Sequence, residues 1–221
     1  MWCRRTERAT RRQGRIRRWF LSSFCDRKEC AMTTLRTTRL TLDPLRVTDA
    51  EAVASYAATE EFVRHLPLPL MTPSDSARWV SETVAAGFPS EGGNRVFAIR
   101  EGSGAPLIGT LRLGFREPSH FSGDIGYGLH PWFRGRGLMT EAVIEVLRHA
   151  FDDLGWMRVH ATASVPNMAS RSVLSRAGMR QEGILRRHRL IRGEWRDSVL
   201  FAALSDDPRS SSTSFATGSC S

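Results

Sequence analysis

Apolar residues recur at three- and four-residue spacings in Ala142, Val143, Val146, Leu147 and Ala150, and predict an amphipathic helix opening just after Gly137. Ahead of it, Gly123 to His130 alternates with period two. Asp124, Gly126, Gly128 and His130 fall on one face and Ile125, Tyr127 and Leu129 on the other, the pattern of a strand. Further strands are predicted over Thr37–Leu45 and Met157–Ala163. Arg95–Glu101 and Pro106–Arg116 read as a hairpin around Gly102-Ser103-Gly104, and Arg187–Ile191 with Trp195–Leu204 as a closing hairpin turned by Arg192-Gly193-Glu194. Thr48 with Glu51 predicts a capping box opening a helix over Asp49–Ala58, and Ser74 a cap for a helix reaching Ala86. Pro67, Pro69 and Pro73 mark a loop between them, and Asn167–Ala177 reads as a last helix. The order is that of an α+β domain.

The charge changes this picture at one end. Of the net +9 of the 221 residues, +7 lies in the first 31, which hold ten Lys and Arg against three Asp and Glu. Residues 32–205 are therefore nearly neutral and read as one globular domain. The Arg-rich stretch shows no persistent apolar face and reads as a disordered extension, consistent with a start codon set too early. An organelle presequence and a nucleic-acid arm stay open as readings of it. Residues 206–221 are Ser-rich and read as a disordered tail. Cys3, Cys25, Cys30 and Cys220 all lie in these end segments, so the domain has neither a disulfide framework nor a thiol nucleophile, which suits the cytoplasm. The six histidines are scattered singly, so no metal site is expected, and no apolar run is long enough to cross a bilayer.

The candidate chemistry sits between the alternating strand and the amphipathic helix. Arg134-Gly135-Arg136-Gly137-Leu138-Met139-Thr140 is a basic loop with two glycines one residue apart, running into a helix start. The first N–H groups of a helix have no intrahelical partner, and its dipole favours negative charge there, so such a loop suits a phosphate. It is not a dinucleotide fingerprint, since Thr140 occupies the third glycine position, and no Gly-Lys-Ser/Thr follows to make a Walker loop. It fits Gln/Arg-x-x-Gly-x-Gly/Ala at Arg134 and Gly137 and departs from it at Met139.

On this loop, and on the order of Arg39-Leu40-Thr41-Leu42, Phe97-Ala98-Ile99-Arg100, Leu107-Ile108-Gly109-Thr110, Asp124-Ile125-Gly126-Tyr127, Asn167-Met168-Ala169-Ser170, Ala177-Gly178-Met179 and Gly193-Glu194-Trp195-Arg196-Asp197, the chain resembles the GNAT superfamily of N-acetyltransferases, and within it the RimJ/RimL-like group. The resemblance implies a central mixed, mostly antiparallel sheet of about seven strands flanked by helices, with acetyl-CoA as co-substrate in a cleft between two splayed strands. It implies transfer of acetyl to a primary amine, foremost a protein or peptide N-terminal α-amine. A small-molecule amine is the alternative acceptor; a non-catalytic acyl-CoA sensor or nucleic-acid binder is the rival from another class. No membrane partner follows, nucleic acid is expected only non-specifically through the basic extension, and a homodimer stays open.

The resemblance also places roles. Backbone N–H groups near Leu129 and His130 would meet the acetyl carbonyl. Arg134, Gly135, Arg136, Gly137, Leu138, Met139 and Thr140 would hold the pyrophosphate. Asn167 would face the pantetheine arm and Ser170 the departing thiolate, where many relatives use a tyrosine at the position of Leu174; plain helix capping is the other reading of Asn167 and Ser170. Asp124 is the expected general base, working through a water because its side chain is short. His130, on the same strand face and closer to neutral in its ordinary pKa, is the runner-up.

Overall fold

The computed structural model describes residues 33–87, 93–117 and 120–208. The expectations for the basic extension and for the tail beyond residue 208 lie outside these residues. Eight strands form one sheet: β1 (Leu35–Arg36), β2 (Leu40–Pro44), β3 (Gly93–Glu101), β4 (Leu107–Glu117), β5 (Ser122–Leu129), β6 (Arg158–Ser164), β7 (Arg180–Ile191) and β8 (Glu194–Leu204). Their order is β1-β2-β3-β4-β5-β6-β8-β7. Every neighbour is antiparallel except β5 and β6, which are parallel. The sheet is thus mixed and mostly antiparallel, and flanked by helices.

Central strands bury both faces, so two cores form. On one side Leu42, Phe97, Ile99, Leu111, Leu113 and Ile125 pack against Ala142, Val143, Val146 and Leu147 of α4 (Leu138–Arg148), the predicted apolar stripe. On the other, Val96 and Ala98 meet Val53, Tyr56 and Ala57 of α1 (Ala50–Ala57) and Val80 of α3 (Pro73–Ala86). A four-residue helix, α2 (Glu60–Val63), joins α1 to the proline loop, and α5 (Met168–Arg176) follows β6. Helix α4 runs on into a π-turn, His149–Asp153.

Two predicted helix starts move. Asp49 belongs to a 3-10 turn rather than to α1, and neither Thr48 nor Glu51 makes a cap. Its carboxylate turns inward to Arg100, which is 3% exposed and also bonds Asp43 (Nε–Oδ1 2.9 Å). The Asp49 carboxylate also accepts the Arg46 N–H at 2.8 Å, so Asp49 caps the turn ahead of α1 in place of Thr48 while it neutralises the buried guanidinium. At α3 the cap is Thr72, which accepts the Asp75 N–H at 3.1 Å while Asp75 accepts that of Thr72 at 3.1 Å, and Pro73 takes the first helical position, where its missing N–H is harmless. Strand β7 begins seven residues before its predicted start at Arg187, because an edge strand with both faces exposed shows no alternation.

Candidate active site

The parallel contact between β5 and β6 covers Ser122↔Arg158, Gly123↔Val159 and Asp124↔His160, and there the pairing ends. Beyond it β5 continues to Leu129 against β4, and β6 to Ser164 against β8, so a gap opens between two strands whose other edges are held. The backbone of β5 faces that gap. His130 N–H donates to Ile108 O at 2.9 Å on the β4 side, and hydrogen bonding alternates along an antiparallel pair, so the Leu129 N–H, opposite Gly109, turns towards β6. Of the two backbone groups the sequence nominates, Leu129 is the one aimed into the gap.

The basic loop lies at the gap's mouth. Gly135 and Gly137 both have φ of 76°, a left-handed conformation a β-carbon disfavours, and Gly137 is the N-cap of α4 without any side-chain cap. Glu141 N–H makes the first bond back, to Gly137 O at 3.1 Å, so the N–H groups of Leu138, Met139 and Thr140 precede the helical ladder. The loop arginines are already paired. Arg134 bonds Glu61 and donates from Nε to Leu129 O at 3.2 Å; Arg136 bonds Glu101. From the opposite edge Arg39 reaches Glu141 (Nη2–Oε2 2.7 Å) and Arg136 O (3.0 Å), fastening the β1–β2 turn to the helix start. Burial would raise the Glu141 pKa, but bonds from Thr37 and Arg39 outweigh it and hold the carboxyl below its usual range.

Asp124 lies where the strands part. Its carboxylate is bound by Arg112 on β4 and by Arg116 (Nε–Oδ1 2.6 Å). Burial alone would raise its pKa; the hydrogen bonds and charge of Arg112, then of Arg116, prevail and depress it. A carboxylate so held is ionised and its lone pairs are engaged, which weakens it as a base. His130 accepts the Trp132 N–H on Nδ1 at 3.2 Å, which keeps the proton of the neutral ring on Nε2. Its ring is the centre of an aromatic group, 5.0 Å from Trp132 and 5.8 Å from Phe133, with Tyr56 beside it. Phe62 of α2 lies over Gly128, where a β-carbon would come within 2.4 Å of its ring.

On the opposite face of β5 stands a residue the sequence reasoning passed over. Tyr127 Oη lies 2.9 Å from Ser170 Oγ and 3.2 Å from Ser170 O. Burial pushes the Tyr127 hydroxyl up to about 12 against the lowering effect of the Ser170 bond, so it is a proton-bearing donor at neutral pH. A tyrosine on a strand between two glycines, with its partner 43 residues on at a helix start, is the signal that was available. Asn167 acts as the N-cap of α5, its Oδ1 accepting the Ser170 N–H at 3.1 Å; the amide NH2 keeps its donors. Leu174 is fully buried and no part of the gap chemistry. Among the described residues no cluster of His, Cys, Asp and Glu could hold a metal, and no helix is long and apolar enough to cross a membrane.

A family model described as an acetyltransferase (GNAT) domain matches residues 39–180. The chain belongs to the GNAT acetyltransferases. An N-acetyltransferase of Bacillus subtilis (strain 168), YoaA, is 29% identical over 168 residues, covering 76% of this chain and 94% of YoaA. The [ribosomal protein uS5]-alanine N-acetyltransferase of Escherichia coli (strain K12) is 34% identical over 83 residues, 38% of this chain and 43% of that one. Mycobacterium smegmatis RimJ, solved in complex with CoA-disulfide, superposes with a TM-score of 0.68 at 26% identity, over 78% of this chain and 86% of RimJ. This GNAT chain is thus an N-acetyltransferase with a RimJ-like fold, and its β5–β6 gap is the cleft that membership in the family implies.

Proposed function

We propose that this enzyme transfers the acetyl group of acetyl-CoA to the α-amine of a peptide or protein. The observation that carries the reading is the gap itself, with the Leu129 N–H aimed into it and an uncapped helix start at its mouth. The relative that acetylates an alanine of a ribosomal protein, and the RimJ complex with a CoA disulfide, support it. In this reading the N–H groups of Leu138, Met139 and Thr140 receive the pyrophosphate with the helix dipole behind them. Arg134 and Arg136, both ion-paired, shape the loop and add field. The Asn167 amide donates towards the pantetheine arm.

The reaction needs no covalent enzyme intermediate. The amine nitrogen attacks the thioester carbonyl, the Leu129 N–H stabilises the oxyanion, the carbon–sulfur bond breaks, and the thiolate leaves against the Ser170–Tyr127 hydroxyl pair. An α-amine has a pKa of ~7.7–8.0 and is partly neutral before it arrives, so water suffices to take its proton. Asp124 then serves as a positioning residue that fixes Arg112 and Arg116 beside the gap. Tyr127→Phe tests the assignment: turnover should fall roughly tenfold with acetyl-CoA affinity unchanged, the loss of one donor to developing charge. Mass spectrometry of an acetylated peptide library tests the acceptor. Label on N-terminal amines is expected; label confined to internal lysines, or to neither, would defeat the α-amine reading.

A further inference from the structure

A cavity of ≈ 700 Å³ lies between the proline loop and the β7–β8 hairpin. Its walls carry Leu68, Leu70 and Leu190 with one carboxylate, Glu60, and two guanidiniums, Arg64 and Arg192. Helix α2 connects it to the gap. Glu61 binds Arg134 of the loop, Phe62 covers Gly128 of β5, and Glu60 and Arg64 turn to the cavity, all within a little more than one helical turn. From the other side Arg189 of β7 reaches Thr162 of β6 at 3.2 Å. The cavity therefore adjoins the gap, linked to it by α2 on one side and by β7 on the other.

The charges along β7 divide sharply. At its start they are matched: Arg180 pairs with Asp207 at 3.2 Å and Glu182 with Arg158. At its end Arg186, Arg187 and Arg189 are exposed, with Arg192 in the turn after them, and make no ion pair among the described residues. The acids of the hairpin itself are engaged elsewhere, and only Glu60 faces the cavity with Arg64 and Arg192 among its lining residues. Glu194 pairs with Arg196 at 2.9 Å, and Asp197 accepts the backbone N–H of Arg187 at 2.7 Å. Arg187 and Arg192 both have φ of 49°, a conformation costly to a residue with a β-carbon, and Arg187 lies in the irregular stretch between Leu185 and Arg189 that interrupts β7 against β8. That stretch lies level with Ser198, which pairs with Ser164 at the end of β6, four residues past the last pairing with β5. Guarding an edge strand needs charge somewhere along it; it does not require unpaired arginines collected at the end beside a cavity.

We propose that this cavity and hairpin select the acceptor, and that the acceptor is a peptide N-terminus followed within a few residues by aspartate or glutamate. The inference rests on the peptide-acceptor reading above and names its substrate class. Leu185 to Ile191 runs beside only Ser198 to Glu194 of β8, so the four arginines are spread over roughly 10–15 Å, a length that suits carboxylates distributed along an extended chain rather than one compact anion. Arg186, Arg187 and Arg189 along β7 and Arg64 and Arg192 in the cavity meet the acidic side chains. The leucines take the aliphatic parts of the chain.

Two peptides identical except for Asp-Glu against Asn-Gln at positions two and three, with acetyl-CoA saturating, provide the test. The acidic peptide should show a kcat/KM roughly tenfold higher at low salt, as expected for a few charge-assisted contacts. The ratio should approach one as salt is raised and in the double variant Arg64→Gln/Arg192→Gln, its fold checked by circular dichroism. The salt titration uses the unaltered protein, so the outcome does not depend on the variant folding. Equal kcat/KM for the two peptides overturns this inference and leaves peptide acetylation standing. Turnover of neither peptide overturns the peptide reading itself. A higher kcat/KM for aspartate or phosphoethanolamine than for the acidic peptide shows that the arginines serve a small anion, and also overturns the inference.

Discussion

Two basic regions border the gap, and they are built in opposite ways. In the loop before α4, Arg134 and Arg136 each hold a carboxylate, Glu61 and Glu101, and Arg39 holds Glu141. At the end of β7 and in the turn after it, Arg186, Arg187, Arg189 and Arg192 stand without acidic partners among the described residues, while Glu194 and Asp197 bond Arg196 and the Arg187 backbone. The difference separates two ways of using positive charge. Paired arginines fix backbone geometry before any ligand arrives, so the loop presents its N–H groups and only a residual field. Unpaired arginines contribute charge itself, which acts at longer range and is screened by salt.

If the loop works through its backbone, changing its conformation should do more damage than changing its charge. Gly137→Val should therefore give the largest effect, a loss of acetyl-CoA affinity of roughly 100-fold or more by calorimetry, with the domain still folded. The reason is conformational. A β-carbon at Gly137 has Arg39 Nη2 at 3.7 Å as its nearest contact, an ordinary distance, but φ of 76° costs a β-branched residue about 1–3 kcal/mol and turns the helix-start N–H groups away. Retained affinity in a folded variant would break the comparison at its first term.

Asp124→Asn asks what happens when a paired site is unpaired. Arg112 and Arg116 would lose their shared carboxylate, and chemical denaturation should show a loss of about 1–2 kcal/mol. The sign with pH follows from the depressed pKa. The stabilisation by Asp124 is fully present above its ordinary value of 3.8 and is lost as pH falls below that, through the lower folded value. Turnover should instead follow the acceptor amine, with an acid limb near ~7.7–8.0 in both the parent and the variant. A limb present in the parent and absent in Asp124→Asn would return Asp124 to the role of base.

The smallest effect is expected from Glu101→Gln, which frees Arg136 in the loop and makes that arginine resemble those of the hairpin. Acetyl-CoA affinity should rise by about two- to threefold at low salt and return to the parent value at high salt. A fall in affinity would mean that the ion pair, rather than the backbone, sets the loop's shape.

Much of this was legible in the sequence, because the relevant features are local. The glycine loop, the apolar stripe of α4 and the Asn167 cap are each set within a few residues, and all appear where the pattern places them. What was not legible depends on register between strands. The clamp on Asp124 requires Gly114 opposite it and Gly126 opposite Arg112, since a β-carbon on Gly114 would come within 2.5 Å of Asp124 Oδ1 and 2.3 Å of Arg112 Nη1. Only the paired strands show that two glycines leave room for the guanidinium. Alternation places Tyr127 on one face of β5 with Ile125 and Leu129, but it does not show that the hydroxyl meets Ser170 at the start of α5, a contact made across 43 residues. The β5–β6 gap entered through family resemblance alone, as alternation identifies strands without saying where their pairing stops.

Three residue pairs of parallel strand join the first five strands of the sheet to the last three. Helices α4 and α5 brace the same junction from one face, where Leu147 and Leu174 belong to a single core. The sheet is therefore two stiff plates with a short hinge, and a ligand lying in the gap becomes a strut between them. Binding at 100 times its Kd would stabilise the folded state by about 2.7 kcal/mol through mass action alone. The protection should be spatially uneven. Amides of Tyr127, Leu129 and those β6 residues beyond His160 whose N–H groups face the gap rather than β8 would gain slow hydrogen exchange on binding acetyl-CoA, while those of β3, already held on both sides, would hardly change.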